Sequence, residues 1–178
     1  MTKKQPIQSN QEPKKPALNL LAKYQRNDGL VEDGRWIAYV DETGEETSLE
    51  FKIASSDNKE YQKCAAECWR KNADILTNAQ AKDAPPETIE LFFNKQKEVE
   101  FEAAAKHLLK SWRWTDEAGV VHDGELPWGD GVLSFNHENA LELLAMKRAK
   151  DTFLQYVVEI ANNYQNYLAS NLVNDIKN

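Results

Sequence analysis

Four of the seven glycines in this 178-residue chain fall between Thr115 and Phe135, together with Pro127. That cluster constrains the fold more than any other feature. Gly and Pro interrupt both helical and strand periodicity, so the stretch separates two periodic blocks and reads as the main irregular segment. It is longer than an ordinary connection, which marks it as a candidate functional or mobile loop. The run GELPWGDG lacks the spacing of a phosphate-binding loop, so its glycines read as turn formers.

Upstream, Arg35 to Val40 reads as a strand and Asp41 to Gly44 as a turn. Ser48 to Ala54 alternates, placing Leu49, Phe51 and Ile53 on one face, so a β-hairpin is expected. A helix is expected from Asp57, because Asp57 and Glu60 stand at capping-box spacing and Tyr61, Cys64, Cys68 and Trp69 follow helical spacing. Pro85 and Pro86 stop that element and open another, expected to run from Glu87 to Trp112. Downstream, Asn136 caps a short helix carrying Ala140, Leu141 and Leu144. A last helix is expected from Ala149 to Ile176, on a stripe of Phe153, Val157, Ile160, Tyr164, Leu168 and Leu172. The expected fold class is α+β, mostly α-helical: an N-terminal β-hairpin followed by a four-helix body with a long C-terminal helix. Residues 1–18, rich in Lys, Gln and Pro, read as a disordered basic arm, and 19–178 as a single domain.

Charge narrows the function. The net charge of −7 divides into +5 over residues 1–26 and −12 over the rest. An acidic body disfavours nucleic acid as the main ligand, since phosphate neutralisation needs clustered Lys and Arg. No apolar run approaches the ~18–20 residues of a membrane span, and no apolar core follows the N-terminal lysines, so a cytoplasmic protein is expected. Cys64 and Cys68 share one helical face without further ligands nearby, and read as buried small hydrophobes rather than a metal site. His107, His122 and His137 form no compact ligand spacing. Glu45-Glu46 and Asp116-Glu117 read as solvated turn residues, not as the desolvated carboxylates of acid–base catalysis. No catalytic set and no cofactor is expected.

The remaining candidates are partner-binding residues. Trp112 continues the preceding helix and reads as core. Trp114 and Trp128 flank the loop, and Trp is enriched at interface hot spots. The C-terminal stripe is long for so small a body, so part of it can seat a neighbouring subunit. The candidate set is Trp114, Trp128, Phe135, Tyr164, Leu168 and Leu172.

From Leu108 to Asn166 the chain resembles the tail assembly chaperones of long-tailed, siphophage-type phages. The resemblance rests on Leu108-Leu109-Lys110-Ser111-Trp112, on Asp116-Glu117-Ala118-Gly119, and on Phe135-Asn136-His137-Glu138-Asn139-Ala140-Leu141-Glu142-Leu143-Leu144. Phe153, Val157-Val158, Ile160-Ala161 and Asn166-Tyr167 complete it. Before Leu108 the agreement is architectural only. The chain departs from the pattern in the longer loop from Val120 to Val132, in the lack of Pro between Ala145 and Asp151, and in the long N-terminal arm. The resemblance implies a non-enzymatic protein that binds the tape measure protein, helps recruit tail tube protein, forms a homo-oligomer, and works in the host cytoplasm without entering the mature virion. Two alternatives fit the composition: an acidic phage inhibitor of a host defence complex that mimics nucleic acid, and a minor structural tail protein.

Overall fold

The computed structural model describes residues 24–169. The expected arm at 1–18, and Leu172 and Ile176 of the C-terminal stripe, lie outside the described residues.

The chain enters through α1 (Asp28–Asp33), capped by the Asn27 side chain accepting from Leu30 N. Gly34 turns it into β1 (Arg35–Val40) at φ +83°. A Cβ there would meet Ala54 N at 2.9 Å, so only glycine lets the two segments pass. β1 pairs antiparallel with β2 (Glu46–Ile53), where the alternation places the hairpin. Phe51 and Ile53 face inward and are buried, with Leu49 half-buried.

Next come α2 (Lys59–Lys71) and α3 (Ala73–Ala79), then α4 (Pro86–Ala103). Asn58, not Asp57, caps α2: its side chain accepts from Tyr61 N, while Asp57 pairs with Arg26 at 2.6 Å. α4 opens on Pro86, where a missing N–H costs nothing.

The helix expected to reach Trp112 ends earlier. After Ala103 the backbone widens into a π-helical turn, Ala104–Leu108, and then extends as β3 (Leu109–Thr115). β3 pairs antiparallel with β2, matching Phe51 to Trp112 and Ile53 to Leu109. The register shifts between Lys52 and Ile53. That bulge lets Leu109 and Trp112, three residues apart, both face the core. Their spacing imitates a helix although the backbone is a strand. Trp112 is core, as expected, but on a sheet; its indole Nε1 donates to Leu133 O at 3.1 Å.

The segment expected to be irregular is mostly sheet. β3 pairs with β4 (Val121–Asp123) across a turn built on Asp116 and Gly119, and β5 (Glu125–Trp128) pairs with β6 (Gly131–Ser134). The sheets are thus four-stranded, in the order β1-β2-β3-β4, and two-stranded.

α5 (His137–Ala145) starts where expected, with Asn136 accepting from Asn139 N. α6 (Phe153–Asn162) starts later than expected, on a Thr152–Gln155 capping box, and stops far short of Ile176. It ends at Asn163, whose side chain accepts from Gln165 N instead of continuing the helix. Asn163 caps a 3₁₀ turn, Tyr164–Tyr167, and the chain then pairs with its own beginning: Asn27 N donates to Tyr167 O and Ala169 N to Gln25 O. Tyr167 is buried, and its hydroxyl donates to Ile53 O at 3.3 Å.

The expected four-helix body with a long C-terminal helix is therefore replaced by six α-helices and two antiparallel sheets among the described residues. One face of the main sheet, the π-helical turn, α5 and α6 enclose a continuous core containing Phe51, Ile53, Leu108, Trp112, Leu144 and Val157. Tyr39, Phe51, Phe153 and Tyr156 form an aromatic cluster at its edge, with the Arg148 guanidinium 4.6 Å from the Tyr156 ring centroid. Burial pushes the Tyr156 hydroxyl up to about 12.

Candidate functional site

The helices α2, α3 and α4 are held differently from the core. Neither α2 nor α3 contains a buried side chain, and α4 buries only Val99 and Ala103, near its C-terminal end. Yet α4 carries Ile89, Leu91, Phe92 and Phe93 in five consecutive positions. Such a run cannot face one direction on a helix, so some of it must meet solvent or a partner. Ile89, Leu91 and Phe93 are 40%, 52% and 55% exposed. Phe92 turns inward onto Trp69, with ring centroids 5.7 Å apart. These helices form an arm whose base is packed and whose far end is open.

Along one flank of the arm, against α5, lies a groove of about 460 Å³. Val99, Phe101, Leu141 and Cys68 supply its apolar lining, and Lys71, Lys95, Glu98 and Glu102 its charged rim. Lys95 pairs with Glu98 one turn on, and Lys106 with Glu102. His137 Nε2 lies 3.3 Å from the second Glu102 oxygen. The Lys106 hydrogen bond, aided by His137, holds the Glu102 carboxyl below its ordinary value. A fixed carboxylate thus stands where the groove meets α5. Lys71, on α2, is exposed and makes no ion pair among the described residues. An open groove with an apolar floor and rims of both signs suits the apolar face of a helix.

Cys64 and Cys68 were expected to be buried. Both are free and half-buried, and Cys68 faces the groove. Burial and the neighbouring Cys68 raise the Cys64 thiol. No group of three or more His, Cys, Asp or Glu able to hold a metal occurs among the described residues.

The sequence-derived candidates fall in two places. Trp114, on β3, is half-buried and stacks on His122 at 4.5 Å and 13°. His122 Nε2 lies 3.0 Å from Asp116 Oδ2, which with the backbone bond from Val120 N depresses the Asp116 carboxyl. Trp128, on β5, packs against the core, and Phe135 meets Trp112 edge-on at 4.9 Å. Tyr164 is exposed on the 3₁₀ turn, and Leu168 forms an isolated bridge with Arg26. The first three belong to the hairpin region and the last two to the segment after α6, so they lie on different elements with different partners. Leu172 lies outside the described residues.

Sequence reasoning missed the groove residues Cys68, Lys71, Phe101 and Leu141 as a site. The run of four large apolar residues on α4 signals only that part of that helix stays exposed; none of the four lines the groove. No helix among the described residues is long and apolar enough to cross a membrane. Comparison with protein-family models, with curated proteins and with solved structures finds no match to this chain.

Proposed function

We propose that this chain is a tail assembly chaperone of a long-tailed phage, a non-catalytic protein that holds apolar helical segments of the tape measure protein and helps recruit tail tube protein in the host cytoplasm, without entering the finished particle. The observation that carries this reading is the groove between α2, α4 and α5, apolar in its floor and left open by helices that bury almost nothing. Such a surface shields an apolar stripe without catalysing anything. A long helical client would engage several copies through many weak contacts, each adding local concentration for the next. The resemblance of residues 108–166 to the chaperone pattern, read from the sequence alone, points the same way.

The test is co-expression with tape measure fragments. Soluble co-purified complexes are expected, with tape measure insoluble when this chain is omitted. Lys71→Glu and Leu141→Arg, at the rim and floor of the groove, are expected to reduce capture of the fragments while Trp114→Ala leaves it intact. Tape measure that stays soluble alone and never co-purifies would sink the reading.

A further inference from the structure

α4 has a second flank, opposite the groove. On a helix of 3.6 residues per turn, Leu91 belongs with Lys95, Glu98 and Glu102 on the groove side, whereas Ile89, Phe93 and Gln96 line up on the other. Ile89 and Phe93 are exposed, and the Phe93 ring rests against Phe92 with centroids 5.5 Å apart. Phe93 is therefore presented to solvent from a firm backing. Beside it runs a shallow cleft of about 180 Å³ between α2 and α4, lined in part by Trp69 and Gln96. Along the outer edge of this flank stand Glu90 and Lys97, both exposed and neither in an ion pair among the described residues.

We propose that this flank pairs two copies of the chain about a two-fold axis passing near Phe93, with the two α4 helices antiparallel. The charges select this occupant and this direction. Glu90 and Lys97 are seven residues apart, two turns along the same edge, with Phe93 near their midpoint. A two-fold axis there brings each outer edge against its own copy in reverse. Glu90 of each chain then meets Lys97 of the other, and the two bonds are equivalent by symmetry. A parallel pairing would oppose like charges, Glu90 to Glu90 and Lys97 to Lys97. The antiparallel arrangement also sets the two helix dipoles head to tail. Ile89 and Phe93 form the apolar seam. That seam lies on the flank of α4 turned away from Lys95, Glu98 and Glu102 of the groove. The inference does not depend on what the groove binds.

Sedimentation velocity on the full chain across a concentration series tests it. The wild type is expected to approach dimer mass as concentration rises. Phe93→Glu is expected to stay monomeric with an unchanged circular dichroism spectrum, since its side chain is exposed. Glu90→Lys and Lys97→Glu, each turning two attractions into two repulsions, are expected to weaken association about tenfold or more. The double variant Glu90→Lys/Lys97→Glu restores opposite charges across the axis and is expected to recover most of the wild-type affinity. A wild type that remains monomeric throughout, or a dimer indifferent to Phe93→Glu, overturns the proposal. So does a double variant no better than the single reversals. Tape measure capture is read in a separate experiment, so failure of the groove reading and failure of this one are told apart.

Discussion

The core and the helical arm are made of similar residues but handled in opposite ways. In the core, Phe51, Leu108, Trp112 and Leu144 are almost wholly removed from water and enclosed by sheet and helix. In the arm, Ile89, Leu91 and Phe93 are equally apolar yet stand open, and α2 and α3 contain no fully buried side chain. Burial of apolar surface is the main favourable term in folding. Stability therefore resides in the core, and the arm is free to spend its apolar surface on association. Net stability is small for any domain, so a protein that leaves such residues exposed gives up part of what could hold it together.

Four measurements can break or sharpen this contrast. The largest effect is expected for Trp112→Ala. It removes the biggest buried side chain and orphans the Leu133 carbonyl that its indole serves. A loss of about 3–5 kcal/mol in urea unfolding is expected. A loss below ~1 kcal/mol would mean that the sheet face is not the stabilising unit.

Tyr167→Phe should cost less, about 1 kcal/mol. The ring stays buried, but the hydroxyl no longer donates to Ile53 O or approaches Ile160 O. Because this residue pins the segment after α6 to β2, its loss should also speed amide exchange at Ala169 and Asn27, whose N–H groups join the two chain segments.

A smaller effect is expected from Glu102, at the boundary between the two regions. Its carboxyl is held below its ordinary value of 4.5, first by the Lys106 hydrogen bond. The unfolded chain therefore takes up the proton more readily than the folded one. The stabilisation is complete above pH 4.5 and is lost as pH falls through the depressed folded value. Melting temperatures of wild type and Glu102→Gln should differ at neutral pH and converge in acid. A difference that persists unchanged at low pH would show that the carboxylate is not the source.

The smallest effect is expected for Leu91→Ser. In the core such a change would be costly, but Leu91 is already more than half exposed, so stability should stay within ~0.5 kcal/mol. A large loss would mean that the arm's open face is needed for folding, and the contrast between the regions would fail.

Much of the core was readable in advance and little of the site. The β1–β2 hairpin, the Asn136 cap and the Pro86 start all follow from patterns within a few residues. Helix and strand were confused at Leu109 to Trp112 because a bulge gave a strand the spacing of a helix. The segment from Thr115 to Phe135 was read as irregular because its strands are three or four residues long and set between glycines. The groove was not readable, because Cys68, Phe101 and Leu141 come from three separate helices.

The sequence by itself determined some local events: the turn between β1 and β2, the Asn136 cap, the proline start of α4, and that α4 carries more apolar surface than one face can hide. Each follows from backbone sterics and hydrogen bonding among near neighbours. Tertiary structure alone decided that the chain leaves helix after Ala103 to extend β2 into a larger sheet. It alone decided that the last described segment turns back from Asn163 to pair with residues 25–27. Those outcomes depend on partners far along the chain, whose hydrogen bonds and buried contacts outweigh local periodicity. The glycine-rich stretch between Thr115 and Phe135 divides the chain as its composition requires, but in place of a loop β4 pairs with the edge of the main sheet and β5 with β6.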